Sequence, residues 1–299
     1  MSDVTWGIHV VMDLFFAGLG AGSFCFGAMA SRCEGKGWES CSRMSSFLAP
    51  VALVIGLAML IADLGNRSRF WITVSVFNIY SPMSVGAWLL SLFLIVSVVF
   101  ALYWVPGHVR EQIPWIGGLS LWNRPKVRNI IGWIGTGLAL GVSVYTGVLL
   151  SATAIPLWRS LSLPLFFFLS ALTTGFTGGA ILATLSVERE DPGAMKEPLQ
   201  FLKRGYRIIL PCLLLVALVY MASGVISPAS RPMAVHLMTG WNGVVWWVGA
   251  IGIGMVMPWV LVARRQAIQG RQAWYLFSSI LVGGVLLRFV LVYAGQGAM

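Results

Sequence analysis

Of the 299 residues, 58% are hydrophobic and only 10% are charged, more apolar surface than a soluble domain of this length can bury. The formal net charge of +10 sits on Lys and Arg in short loops between apolar runs, which is what membrane topology produces, and excludes reading it as a nucleic-acid-binding surface. Four cysteines without a CxxC pair, and His9, His108 and His236 too scattered for a stack of haems, leave no metal site and no redox centre bound by this chain alone. An electron carrier must then come from a partner or diffuse in as a ligand.

The apolar runs predict an all-α polytopic membrane protein of eight transmembrane helices. They fall at about 6–31, 45–64, 81–104, 130–153, 161–187, 208–227, 243–263 and 274–295, each near the roughly 20 residues needed to cross the hydrocarbon core. The first run is too long, and lacks the basic leader, for a cleavable signal peptide. Residues 1–299 read as one integral membrane domain, with 1–187 and 208–299 as possible sub-bundles joined by the cytoplasmic connector 188–207. Eight spans suit two four-helix bundles, a division that rests on length because no internal repeat supports it.

Orientation follows from the positive residues. The loops after the first, third, fifth and seventh spans carry fifteen Lys and Arg, among them Arg32, Lys36, Arg128, Lys196 and Arg264. The opposite loops carry four, Arg67, Arg69, Arg159 and Arg231, and Arg288 lies within the last span. The positive-inside rule places both termini outside, on the periplasmic face of a bacterial cytoplasmic membrane.

With that orientation several polar residues share one depth. Asp13 lies a turn or two below the outer surface, and His9, four residues earlier, shares its helical face about 6 Å nearer the water. Tyr145 is about 12 Å down from the outer end of the fourth span, and Arg288 about 10 Å from the end of the eighth. Asp63 closes the second span at the same surface, where it can cap the helix or bridge Arg67 or Arg69. The inner half offers only Glu188 at its lip. Ionisable groups in hydrocarbon cost at least a few kcal/mol each, so their convergence points to a shared cavity. A structural Asp13–Arg288 ion pair pinning the first span to the last stands nearly level with that reading.

These side chains suit a quinol, whose two phenolic oxygens flank a flat apolar ring. Oxidising it needs an acceptor for protons and a hydrogen bond that holds the ring. Asp13 can take a proton, His9 can relay it to water near neutral pH, and the Tyr145 hydroxyl can fix the second oxygen. Leu, Phe and Trp side chains would line the pocket.

The stretches FFAGLGAGSF (15–24), DLGNRSRFW (63–71), SPMSVGAWLLSLF (81–93), YTGVLLSATAIPLW (145–158), LPLFFFLSALTTG (163–175) and LLRFVLVYAGQ (286–296) cover most of the chain in order. As a set they resemble the NrfD-type membrane subunits of polysulfide reductase and related respiratory complexes. The resemblance implies a pocket for menaquinone or ubiquinone near the outer surface, formed by Asp13 before the GLxxG run and by the tyrosine of the YTG motif, Tyr145. It further implies docking on a periplasmic ferredoxin-like iron–sulfur subunit, and through it on a molybdopterin catalytic subunit. The clusters and the molybdopterin belong to those partners. The basic outer loops around Arg67, Arg159 and Arg231 are the candidates for that docking. The competing readings are a membrane anchor without quinone chemistry, and a proton or ion transporter gated by Asp13, Arg288 and Glu188.

Overall fold

The computed structural model describes residues 6–63, 78–105, 124–187, 191, 193–264 and 271–296, and every regular element among them is helical. In chain order these are α1 (Ile8–Ala30), α2 (Lys36–Asp63), α3 (Pro82–Leu102), α4 (Pro125–Ser151), α5 (Ser162–Val187), α6 (Lys196–Ile226), the short α7 (Arg231–Met238), α8 (Gly240–Arg264) and α9 (Arg271–Gln296). All but α7 are long and apolar enough to span a bilayer, as the sequence leads one to expect. Arg67, Arg69, His108 and Glu188 lie outside the described residues.

Local chemistry explains the ends. The Ser81 hydroxyl accepts the Ser84 N–H, and Pro82 opens α3 where no N–H is needed; Pro125 opens α4 in the same way. On the basic side the helices run past the apolar limits: α2 begins at Lys36 rather than 45, α4 at Pro125 rather than 130, and α6 at Lys196 rather than 208. The early start of α6 takes up much of the 188–207 connector. Its cause is amphipathicity, because Leu199, Leu202 and Tyr206 bury against Trp38 and Ala183 while Lys196 stays exposed.

The packing is centred on α1. It touches α2, α4, α5 and α9, and α5 in turn packs against α2 and α4. Glycine makes this possible: α1 and α5 cross so closely at Gly22 and Gly175 that a Cβ on either would meet the other's backbone. A second close crossing joins α8 to α9 at Gly254 and Gly283. Over Val245–Val256 α8 widens into a π-helix, which the apolar periodicity of that run does not disclose.

Between α4 and α5 a 3₁₀ turn, Pro156–Trp158, folds inward. The buried Trp158 indole donates to the Leu291 carbonyl at 2.9 Å and packs on Trp6, with ring centroids 5.2 Å apart. The Gln296 amide in turn receives the Trp6 N–H and donates to the Trp6 carbonyl, tying the start of α1 to the end of α9. Outward-facing Ile95, Trp133, Ile208, Leu215 and Val248 are exposed, as lipid contact demands.

Candidate functional site

At the Asp63 end of the bundle, α1, α2, α3 and α4 enclose a cavity of about 530 Å³. Its walls are mostly apolar, with Val10 and Leu14 from α1, Leu57 and Leu60 from α2, Leu90 from α3 and Leu149 from α4. Such a volume, with apolar walls and a few polar groups, is what small-molecule sites have.

Asp13 lines this cavity and is only 6% exposed. Among the described residues no hydrogen bond reaches its carboxylate. Its position is allowed by Gly56 of α2, where a Cβ would come within 3.2 Å of the Asp13 Oδ1. Three of the hydroxyls that share the wall are committed elsewhere: Ser91 donates to the Ala87 carbonyl and Thr146 to Ser143 within their own helices, and Thr153, just past the end of α4, to Leu150. A buried carboxylate without a donor is costly, so this one is open to a ligand.

Tyr145 enters from α4. Its hydroxyl donates to the Pro82 carbonyl at 3.0 Å, and its ring lies across Gly86 of α3, where a Cβ would overlap it. With the proton given to Pro82, the Tyr145 oxygen is left as an acceptor. Pro82 and Gly86 are the positions that sequence reasoning passed over. Both lie in the SPMSVGAW stretch, but that Tyr145 lies across them is a fact of packing that the sequence does not contain.

His9 and Arg288 are placed differently. His9 does not line the cavity; it is about half exposed, and its Nδ1 lies 3.9 Å from the Asp63 Oδ1. Asp63 does line the cavity, so the His9–Asp63 pair stands where the cavity meets the surface. Arg288 is fully buried behind α1 and forms no ion pair with Asp13. Its Nε donates to the Leu14 carbonyl at 3.0 Å, and one terminal nitrogen donates to the Ser170 Oγ at 3.0 Å and the Gly284 carbonyl at 2.9 Å. The Phe15 and Phe167 rings flank it at 5.5 Å, and Gly18 leaves room for the remaining nitrogen. Arg288 therefore grips the backbone next to Asp13 from the far side of α1.

On the same end, Arg159 is exposed and donates to the Thr153 carbonyl, Arg231 opens α7, and the His236 Nδ1 lies 3.4 Å from the Asn242 amide nitrogen.

The family model described as "Polysulphide reductase, NrfD" matches residues 1–299. The sequence is 28% identical to the C component of polysulfide reductase from Wolinella succinogenes, over 99% of this protein and 95% of the relative. It is 26% identical to the C component of selenate reductase from Mesobacillus selenatarsenatis, over 96% of this protein and 73% of the relative. An Hdr-like menaquinol oxidoreductase integral membrane subunit of Archaeoglobus fulgidus is 25% identical, over 98% of this protein and 71% of its own length.

Proposed function

The chain belongs to the NrfD polysulphide reductase family, and from that premise we propose that it is the quinol-binding membrane subunit of a respiratory oxidoreductase complex. The observation that carries this reading is the cavity in which a buried, unpartnered Asp13 carboxylate and the Tyr145 oxygen, brought in by separate helices, face one apolar space. The menaquinol oxidoreductase named among the relatives fits such a ligand.

A quinol supplies two electrons and two protons when it is bound there. Asp13 accepts one proton at a carboxylate oxygen; the second hydroxyl is held by its hydrogen bond to the Tyr145 oxygen and releases its proton to water at the mouth of the cavity as the electrons leave. With Asp13 ionised both groups are acceptors, which matches the two O–H donors of the reduced carrier better than the two carbonyls of the oxidised one. The apolar walls exclude water from the ring. Asp63, on the cavity wall, and His9, half exposed beside it, provide the next stations toward the surface. Arg288 holds α1 in register at Leu14, so it positions Asp13 without touching the ligand.

Electrons leave toward an iron–sulfur partner docked over the cavity end, with a molybdopterin subunit beyond it. The surplus of Lys and Arg at the other end supports placing the cavity on the periplasmic side of a bacterial cytoplasmic membrane.

The test is the Tyr145→Phe variant of the assembled complex. Losing one ligand hydrogen bond lowers quinol-linked turnover about tenfold, with the amount of complex unchanged. Gly86→Ala produces a comparable loss with the hydroxyl intact, because the added methyl displaces the Tyr145 ring. Wild-type turnover in both variants would place the carrier elsewhere.

A further inference from the structure

The bundle has a second cavity at its opposite end, of about 670 Å³, between the α1–α2 turn and the ends of α3 and α4. It is polar where the first is apolar. Arg32 and Arg128 line it, together with Trp104 and Asn129. We propose that it binds the phosphodiester headgroup of an anionic glycerophospholipid, a site independent of the redox reading above.

Charge supports this first. Arg32 and Arg128 line the pocket with Glu34 and Glu39, and Lys36, Arg124 and Lys126, close by in sequence at the starts of α2 and α4, add positive charge to this end of the bundle. Neither Arg32 nor Arg128 forms an ion pair with a described carboxylate. Their guanidinium groups instead lie over indole rings, Arg32 at 4.1 Å from the Trp133 centroid and Arg128 at 5.5 Å from that of Trp104. Cation–π stacking orients a guanidinium without cancelling its charge.

Unmet donors support it second. One terminal nitrogen of Arg128 donates to the Ser31 carbonyl at 3.2 Å, but its Nε has no acceptor among the described residues. The Trp104 indole N–H beside it has none either. The adjoining N-terminus of α4 has no side-chain cap and no acidic residue in its first turn, so its positive end is uncompensated. The two side-chain donors are shielded from solvent, so a phosphate in the pocket meets the exposed guanidinium of Arg32 and the uncapped end of α4.

The lipid character of the ligand follows from where the pocket leads. The flank of α4 next to it exposes Ile130, Trp133 and Ile134, an apolar track along a membrane-spanning helix. Arg32, stacked on Trp133, stands at the junction of headgroup pocket and track. A soluble anion would use only the first of these, whereas a phospholipid uses both. Basic pockets at the ends of transmembrane helices are the recurrent sites of anionic lipids.

The experiment is native mass spectrometry of the full-length protein in detergent, titrated with phosphatidylglycerol, phosphatidylcholine or inorganic phosphate. Phosphatidylglycerol is retained in preference to phosphatidylcholine, and millimolar inorganic phosphate does not displace it. Arg32→Gln, whose exposed side chain leaves the fold intact, weakens retention about fivefold, and adding Arg128→Gln multiplies that loss about fivefold again. Lys196→Gln, at the same end but on α6, leaves retention unchanged. Equal retention of both lipids, an unaltered Arg32→Gln variant, or an equal loss in Lys196→Gln would each overturn the site; displacement by inorganic phosphate alone would reduce it to a simple anion site.

Discussion

Asp13→Asn is expected to lower quinol-linked turnover of the assembled complex by about a hundredfold or more, the scale on which a positioned proton acceptor contributes. Asn has nearly the shape of Asp, so the contact with Gly56 and the packing of α1 are retained. What is lost is the ability to take up a proton at that atom, and a donor amide now faces the cavity where two acceptors stood. The effect therefore lies in turnover and not in assembly. Purifying the complex at wild-type yield and measuring oxidation of a water-soluble quinol analogue separates the two. Full turnover at full yield would remove Asp13 from the chemistry.

Gly175→Leu should prevent the protein from accumulating. At this crossing α5 lies directly on the backbone of α1 at Gly22, and no neighbouring side chain is free to rotate away and make space. Overpacking against backbone costs about 3 kcal/mol, and here it separates the two helices that hold the centre of the molecule. The control is Gly137→Leu in α4, where a Cβ meets nothing and the position is exposed. Membrane levels and thermal melting in detergent distinguish the two. If both leucine variants accumulate and melt like the wild type, the close crossing is not as described.

The eight spans were legible because a run of about twenty apolar residues has few other solutions in a protein this hydrophobic. Helix ends were less so, since α2, α4 and α6 continue beyond the apolar stretch on amphipathic turns such as that of Leu199, Leu202 and Tyr206. The π-helix of α8 leaves no trace in the order of Val, Trp, Ile and Gly along it. Depth along a helix can be counted in residues, which is why Asp13 and Tyr145 could be set at one level. Azimuth cannot be counted without the neighbours. Arg288 reaches the level of Asp13, as its bond to Leu14 records, yet approaches from the opposite side of α1. His9, one turn above Asp13, turns outward to Asp63. The roles of Gly56 and Gly86 depend on which side chain lies across them, a fact of packing that spacing does not contain.

The enclosed position of α1 has a consequence for biogenesis. It leaves the ribosome before the other seven described spans and is more enclosed than any of them, yet α5 and α9 are synthesised long after it. Until α9 emerges, the Leu14 carbonyl has no Arg288, and one flank of a glycine-rich nascent segment carrying an aspartate has no protein neighbour. Insertion must hold that segment at the translocon or in a provisional arrangement with α2 before the final fold can close. Polypeptides interrupted before α9 would then display the same uncovered flank, a feature that membrane quality-control proteases could recognise.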